Sequence, residues 1–472
     1  MPDRFRPLGK PLPDEMTNVV ELMRTGWTDD DDPVERLAVA DHAARRRDRL
    51  AQRFAGERIV VPAGALKTRA NDTDFRFRVE TDHAYLTGNQ SSDAVLVMDD
   101  GDATLFFRPR YAKTDHNSWS DGRYGETWSG RRRSLAEAEE LFGIRCRHLF
   151  ELPDALEALG EARVLRGVDQ DVDALLPLRP ESGDDVELAT YLSEMRLVKD
   201  DWEVTQLQDA VDCTIRGFED SVREWDNVLR WGERWIEGTF WRRARAEGND
   251  VGYESICAGG PHATTLHWID NDGPITPGQL VLLDMGVENR SLYTADITRT
   301  LPVDGRFTTE QRDLYSLVLS AQEAGLGAVK PGAGFRDFHH AAQSVLAHGL
   351  ADMGLLPCSA EESLEKTNRL HHRWTLHGTG HMLGLDVHDC AVAREENYLE
   401  GKLEPGMVLT VEPGIYFQSS DLLAPEALRG VGIRIEDDVL VTEDGCRNLS
   451  AALPRTPEAV ESWMAGLLPS RR

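Results

Sequence analysis

The chain has 472 residues, too many for one ordinary domain, so two domains are expected. Its formal net charge is −29, and such acidity argues against partners with a phosphate backbone or an anionic membrane surface. No apolar run approaches the roughly 18–20 residues that span a bilayer, and no signal-peptide core precedes the aspartates at 29–32. The sequence therefore predicts a cytoplasmic protein that binds neither nucleic acid nor membranes.

The chain begins with a polar, proline-containing arm over residues 1–33 and continues with a mixed α/β pattern. The acidic, glycine-containing turn at 99–102 lies between two apolar runs, which is a hairpin signal. In chain order, the pattern predicts a helix over 34–55, strands at 58–61, 93–98 and 103–107, helices at 134–142 and 152–160, and a strand at 163–168.

Two capping boxes mark helices in the second part of the chain. Asp200 with Glu203 predicts the start of a helix whose apolar side chains recur every three or four residues. Thr308 with Gln311 predicts the start of another helix, and a third is expected over roughly 335–353.

Four predicted strands in this part share an acidic residue inside or at the end of an apolar run. Acidic side chains are depleted from strands and are rarely buried unless they are paired or bound to a metal. Four of them in one domain favour a metal site over ordinary edge or turn carboxylates. The strands cover 279–286, 296–301, 408–414 and 432–437, and their acidic residues are Asp284, Asp296, Glu412 and Glu436.

A glycine-rich segment at 376–389 carries three of the 14 histidines, His377, His381 and His388. Histidine is the commonest metal ligand and the usual proton-transfer residue near neutral pH. The first two are spaced like the ligands of a zinc-protease helix, but Gly378 stands where that motif has glutamate. We expect a loop whose glycines allow close backbone approach and unusual φ/ψ angles. Four other histidines lack such a context and are expected at the surface: His339, His340, His371 and His372.

Four carboxylates and one histidine form a ligand set dominated by hard oxygen atoms, which suits Mn²⁺, Mg²⁺ or Co²⁺ better than a structural zinc ion. One divalent ion would leave such a site over-charged, so two ions are expected, with a bridging water or hydroxide that attacks a carbonyl or phosphoryl group. Thr298 shares a strand face with Asp296, and Arg434 with Glu436, so each can support a ligand. For Arg434, an ion pair with a buried carboxylate and direct contact with the substrate both stay open.

The five-ligand set resembles that of the pita-bread metallopeptidases, and most of all that of aminopeptidase P, the Xaa-Pro aminopeptidases. In the first half of the chain, the runs at 69–75, 82–88 and 126–132 are similar to the amino domain of that family. The ligand motifs are Asp284 in Leu-Leu-Asp-Met-Gly, Asp296 in Asp-Ile-Thr-Arg-Thr, His381 in His-Gly-Thr-Gly-His, Glu412 in Val-Glu-Pro-Gly-Ile-Tyr and Glu436 in Gly-Ile-Arg-Ile-Glu-Asp-Asp.

The resemblance implies an α/β (α+β) fold, in which a mixed α/β N-terminal domain precedes a pita-bread catalytic domain. The change of pattern along the chain places the boundary between about 185 and 200. The expected divisions are an N-terminal arm at 1–33, an aminopeptidase P-type N-terminal domain at 34–190, a catalytic metallopeptidase domain at 191–455 and a C-terminal tail at 456–472.

The resemblance also implies how the five ligands share two metal ions. Asp296 and Glu436 would bridge both ions. Asp284 would complete the shell of one ion, and His381 with Glu412 that of the other. Glu412 would also be the general base that takes a proton from the bridging water.

Further residues are implied on the substrate side of the site. His388 would stabilise the oxyanion, His267 would bind the substrate and shuttle protons, and His377 would line the pocket for proline. Three residues complete the implied set: Tyr416 and Arg434 near the metals, and Trp128, which would reach the active site of a neighbouring subunit.

The activity implied by the resemblance is dinuclear, metal-dependent release of the first residue from Xaa-Pro peptides by a metal-bridging hydroxide. Mn²⁺ is the favoured metal, with Co²⁺ or Zn²⁺ as alternatives, and the partners are peptides with proline at the second position. A homodimer or homotetramer is implied. Two alternative functions stay open, namely an Xaa-Pro dipeptidase (prolidase) and a binding module that has lost catalysis.

Overall fold

The computed structural model describes residues 17–28, 30–176 and 183–468, and the chain divides into two compact units, Met1–Leu192 and Ser193–Arg472. Residues 1–16 and 29 of the expected arm, and 469–472 of the expected tail, lie outside the described residues. Within the described part, no helix is long and apolar enough to cross a membrane. The exact domain bounds stay predictions.

The first unit combines short helices with a mixed sheet. Its elements in chain order are α1 (Thr17–Met23), α2 (Val39–Arg53), β1 (Arg58–Pro62), β2 (Thr68–Ala70), β3 (Thr73–Asp74), α3 (Thr81–Thr87), β4 (Val95–Asp99), β5 (Asp102–Phe107), α4 (Asn117–Ser120), α5 (Glu126–Ser129), α6 (Leu135–Phe142), β6 (Arg145–His148), α7 (Leu152–Leu159), β7 (Arg163–Val164), α8 (Gln170–Leu175) and α9 (Asp184–Met195), which runs past the division point.

The principal sheet of the first unit has the strand order β6-β5-β4-β1-β7. Strands β4 and β5 form the predicted hairpin, with Asp99 opposite Asp102. The strand predicted over 163–168 is too long. Strand β7 ends at Val164, since the chain makes one more backbone bond at Leu165 and then turns at Gly167, whose φ is +82°. A buried apolar cluster joins the sheet to α7 and α8.

The second unit contains the remaining elements, again in chain order: α10 (Asp201–Arg223), α11 (Trp225–Trp231), α12 (Glu233–Glu247), β8 (Asp250–Val251), β9 (Ile256–Gly259), β10 (Leu280–Met285), β11 (Val287–Glu288), β12 (Ile297–Pro302), α13 (Thr309–Ala328), α14 (Asp337–Asp352), α15 (Ala360–Leu364), β13 (Val408–Val411), β14 (Gly414–Phe417), β15 (Val431–Arg434), β16 (Asp437–Val441), β17 (Cys446–Asn448) and α16 (Pro457–Leu467).

Both predicted capping boxes are present in the second unit. The Asp200 carboxylate accepts from the backbone N–H of Glu203, whose own carboxylate accepts from the N–H of Asp200, at the start of α10. Thr308 and Gln311 make the same reciprocal pair at the start of α13. These boxes satisfy N–H groups that a helix leaves unpaired, which is why the helix starts could be read from sequence.

The segment 432–437, which the sequence predicted as one strand, is divided in two, so that prediction is wrong, whereas the strand predicted from Val408 stops as expected, at Val411. The segment 408–414 becomes β13 and β14 with Glu412 between them, and 432–437 becomes β15 and β16 with Glu436 between them. Strand β13 pairs with β16, whereas β14 pairs with β15 in a different ladder. At the break, the N–H of Glu436 turns to the carbonyl of Thr298, and Pro413 has no N–H to extend the β13 ladder. Both glutamates therefore lie where the chain changes sheets.

Candidate active site

A cavity of about 500 Å³ in the second unit collects nearly all of the predicted site residues. Tyr416 joins them by a hydrogen bond between its hydroxyl and His377 Nε2, at 2.8 Å. Trp128 belongs to the first unit, where it is 66% exposed. The predicted residues that line the cavity are His267, Asp284, Asp296, His377, His381, His388, Glu412, Arg434 and Glu436.

The histidine-glycine loop lies directly against β13. The N–H of Thr410 donates to the carbonyl of His381 at 2.9 Å, and the N–H of Glu412 donates to the carbonyl of Thr379 at 2.8 Å. The backbones are so close that a Cβ on Gly380 would lie 2.0 Å from the carbonyl oxygen of Thr410. This pairing brings the side chains of His381 and Glu412 together.

Three of the predicted ligands form a tight group. One ligand atom from each of Asp296, His381 and Glu436 lies within 4.8 Å of the others. His381 Nε2 is 3.3 Å from Asp296 Oδ2 and 3.7 Å from Glu412 Oε1. The carboxylate of Asp284 is tied to the group through a hydroxyl that it shares with Asp296. The geometry therefore brings all five predicted ligands to one wall of the cavity.

The pKa values of the predicted ligands reflect several buried carboxylates that lie close together. Burial raises the pKa of Glu436 well above its usual value, and the neighbouring Asp296 raises it further. Burial also raises the pKa of Glu412, to about 7, against the charges of His381 and Arg434. Burial alone would lower the pKa of His381, but the hydrogen bond to Asp296 and the charge of Glu412 outweigh it and raise that pKa to about 9. The site strongly favours a positive charge in its centre.

Sequence reasoning missed Tyr253, whose hydroxyl lies 2.6 Å from Asp284 Oδ1 and 2.6 Å from Asp296 Oδ1. Burial raises the pKa of this phenol well above its usual value, and the two carboxylates raise it further, so the group is a neutral donor. Tyr253 lies in a loop between β8 and β9, with no repeat or spacing that relates it to the acidic strands. No feature of the sequence signals this contact.

Arg434 forms an ion pair, but with Asp284 rather than with Glu436. Its Nη2 donates to Asp284 Oδ2 at 2.5 Å, and its Nε donates to Thr298 Oγ1 at 3.1 Å. The Thr298 hydroxyl in turn donates to Glu436 Oε2 at 2.6 Å, as expected for a residue that supports a ligand. Arg434 Nη1 also donates to the Tyr416 hydroxyl at 3.0 Å. One guanidinium thus orients two carboxylates and one phenol.

The other two histidines of the loop face different parts of the cavity. Nδ1 of His377 donates to the carbonyl of Gly378 at 2.7 Å. Burial and the charge of Arg434 lower the pKa of His377 to about 3, so its ring is neutral. The ring of His388 stands edge-on to that of His381, with centroids 4.2 Å apart, and burial together with the charge of His381 lowers its pKa. Neither ring joins the tight three-residue group.

Three of the four histidines expected at the surface are partly or fully buried: His371 is buried, and His339 and His372 are half-buried. His371 is 2% exposed and its Nδ1 lies 2.9 Å from the Ser363 hydroxyl. His339 is half-buried and its Nδ1 lies 2.9 Å from the hydroxyl of Thr379, inside the histidine-glycine loop. The surface prediction was wrong because α14 and the turn at 370–373 pack against other segments of the second unit. The local sequence did not reveal these contacts.

Comparison with known proteins places this site in a family. Residues 206–443 match metallopeptidase family M24, and residues 43–165 match the aminopeptidase P N-terminal domain. The chain belongs to family M24. It is 56% identical over 455 residues to Xaa-Pro aminopeptidase 1 of Streptomyces coelicolor, a match that covers 95% of this chain and 92% of that protein.

Solved structures of aminopeptidase P show the same fold. The Pseudomonas aeruginosa aminopeptidase PepP matches with a TM-score of 0.80 at 30% identity, covering 92% of this chain and 99% of that one. Escherichia coli aminopeptidase P in complex with substrate matches with a TM-score of 0.80 at 29% identity and the same coverage. The predicted fold, an aminopeptidase P N-terminal domain followed by a pita-bread domain, is confirmed. The prediction of a metalloaminopeptidase of the Xaa-Pro aminopeptidase group is confirmed as well.

Proposed function

We propose that this chain releases the first residue from peptides whose second residue is proline, with two divalent metal ions, Mn²⁺ foremost, held in the cavity. The observation that carries the proposal is the convergence of the four predicted carboxylates and four histidines from separate segments on one cavity. The name of the Streptomyces coelicolor relative and the substrate complex of the Escherichia coli protein support the choice of substrate.

The donor set fits divalent cations. Burial raises the pKa of Asp284 as well as that of Glu436, which shows that the site destabilises its own negative charges in the absence of cations. Asp296 and Glu436, at the centre of the group, would contact both ions. Asp284 would complete the coordination shell of one ion, and His381 with Glu412 would complete that of the other. Oxygen-rich sets of this kind favour Mn²⁺ over a structural zinc ion.

When bound, two such ions supply an activated water and polarise the scissile carbonyl. Glu412 would take the proton of the attacking water and deliver it to the departing proline nitrogen. His388 donates a hydrogen bond to the carbonyl oxygen as negative charge develops there.

The proline side of the substrate requires recognition without a backbone donor, because an Xaa-Pro bond has no N–H. His377, with Tyr416 behind it, would line the pocket for the ring. His267, which also lines the cavity, would bind the substrate and pass protons. Arg434 would act mainly by orienting Asp284 and Tyr416.

An oligomer is part of the proposal. Trp128 is exposed and its indole N–H donates to the carbonyl of Trp119 at 2.6 Å, so its ring is held in a defined position at the surface of the first unit. A homodimer or homotetramer would let Trp128 reach the active site of a neighbouring subunit. The cytoplasmic location stays a prediction.

The test compares three substrates with Mn²⁺-loaded protein: an Xaa-Pro-Xaa tripeptide, an Xaa-Pro dipeptide and an Xaa-Ala-Xaa tripeptide. We expect release of the first residue from the proline tripeptide, with much lower rates on the other two. Equal or faster cleavage of the dipeptide would indicate a prolidase instead. If no peptide were cleaved although two ions are bound per chain, the remaining hypothesis would be a binding module that has lost catalysis.

A further inference from the structure

The carboxylate of Glu233, the first residue of α12, is completely buried and accepts four hydrogen bonds. Oε1 accepts from the N–H of Gly259 at 2.7 Å and from His262 Nδ1 at 2.8 Å. Oε2 accepts from Trp268 Nε1 at 2.9 Å and from the N–H of Gly273 at 2.7 Å. Three of these donors belong to the segment 262–273, so one carboxylate fastens both ends and the middle of that segment.

The surroundings of Glu233 are built closely around this arrangement. The ring of His262 stacks on that of Trp268, with centroids 3.8 Å apart. A Cβ on Gly273 would lie 2.4 Å from the ring of His262 and 3.0 Å from Glu233 Oε2. The position at the N-terminus of α12 also favours a negative charge. The carboxylate is therefore held in one orientation, with each of its oxygens accepting at least one hydrogen bond from the segment.

The other face of the same segment forms a wall of the active-site cavity. Leu266, His267 and Ile269 line the cavity, whereas the side chain of Trp268 lies on the reverse side and donates to Glu233. Among the described residues, none makes a hydrogen bond that would orient the His267 imidazole. The place of this imidazole is therefore set by the backbone of its segment, which Glu233 fixes.

We infer that Glu233 is a positioning residue that holds His267 in place through Trp268 and His262. This inference rests on the proposed function, in which His267 binds the substrate. Glu233 touches neither the substrate nor the metal ligands. Its loss should therefore reduce turnover by displacing His267 and should leave the metal content unchanged.

Two substitutions weaken the hydrogen bonds of Glu233 to the segment 262–273 in different ways. Glu233→Gln replaces one acceptor oxygen by an NH₂ group that faces two donors. Trp268→Phe keeps an aromatic ring against His262 and removes only the indole N–H. The matched control is Trp225→Phe, which removes a buried indole N–H bonded to the carbonyl of Val303 at 2.9 Å and does not line the cavity.

The experiment is a double-mutant cycle with His267→Ala, measured as kcat/KM on an Xaa-Pro-Xaa tripeptide with metal content determined for each variant. In the parent background, E233Q and W268F should each lower kcat/KM by about tenfold to a hundredfold, the scale of a displacement of about 1 Å. In the His267→Ala background, both effects should shrink to less than about threefold. W225F should have the same small effect in both backgrounds.

Additive effects of E233Q and His267→Ala, or a loss of metal in E233Q, would overturn the inference. A second readout needs no activity. Amide hydrogen exchange over residues 262–273 should accelerate in E233Q and in W268F but not in W225F. Unchanged exchange would also overturn the inference, whereas an inactive parent with this exchange pattern would count against the proposed function alone.

Discussion

Tyr253→Phe tests whether a hydroxyl that the sequence did not reveal helps to hold the metal ligands. The substitution removes one oxygen atom and keeps the ring. Asp284 keeps its bond to Arg434 at 2.5 Å, but Asp296 loses the hydrogen bond from the Tyr253 hydroxyl and retains His381 at 3.3 Å. The orientation of Asp296, which is proposed to contact both ions, should therefore suffer most.

The magnitude follows from the geometry. The hydroxyl has one proton and two acceptors at 2.6 Å, so one charge-assisted hydrogen bond is lost at any time. A hydrogen bond to a charged group contributes about 1.5–3 kcal/mol, which corresponds to a metal affinity weaker by about tenfold to 150-fold. Removing a donor also makes the site more negative, which would strengthen cation binding. We expect the loss of ligand orientation to exceed this gain, as it does for other residues behind metal ligands.

The assay is a calorimetric titration of metal-stripped protein with Mn²⁺, together with kcat/KM at saturating metal. The matched control is Tyr124→Phe, which removes a buried hydroxyl bonded to Asp93 at 2.7 Å in the first unit. The control should bind Mn²⁺ like the parent. An affinity of Y253F that equals or exceeds that of the parent would refute the reasoning, because charge density would then outweigh orientation.

Further predictions concern other side chains. His381→Ala should lose metal by elemental analysis, whereas His388→Ala should keep it and lose turnover by about a hundredfold to a thousandfold. Arg434→Lys replaces a fork that makes three side-chain hydrogen bonds with a single amine, and kcat/KM should fall by about tenfold to a hundredfold. Burial would raise the pKa of Glu137, but the hydrogen bonds from Arg131 and from the backbone N–H groups of Ser134 and Asp32, with the charge of Arg131, together outweigh it and lower that pKa to about 2. The stability that Glu137 contributes is complete above its usual pKa of 4.5 and is lost as pH falls towards 2. The urea concentration at the unfolding midpoint should therefore fall less between pH 4.5 and pH 2 in Glu137→Gln than in the parent protein.

The features that sequence predicted well were those with a local cause. Asp200 and Glu203 cap a helix because both partners lie within four residues. The hairpin at 99–102 is a short turn between two apolar runs. The candidate metal ligands were predicted for a different reason, since an acidic residue inside a buried strand is chemically out of place wherever it occurs.

The features that sequence missed depend on contacts between distant residues. Tyr253 and Glu233 are ordinary residue types in ordinary helical or loop contexts, and their partners lie 26 to 43 residues away. The break at Glu436 was missed because the alternation of apolar and polar residues continues through it, and the return of the chain to a second strand after Glu412 was not predicted. Only the pairing of β13 with β16, and of β14 with β15, shows that the chain changes sheets there.

The histidine-glycine loop shows why His381, of its three histidines, lies beside the other candidate metal ligands. The loop was expected to need glycine for close backbone approach and for unusual φ/ψ angles; the close approach is present at Gly380, but none of the three glycines has a positive φ. Gly380 is needed instead because the backbone lies against Thr410, and that contact sets His381 beside Glu412. His377 precedes the paired stretch and His388 follows it, so each is free to face another part of the cavity. Gly380→Ala should therefore separate His381 from Glu412 and weaken metal binding, which the same Mn²⁺ titration would detect.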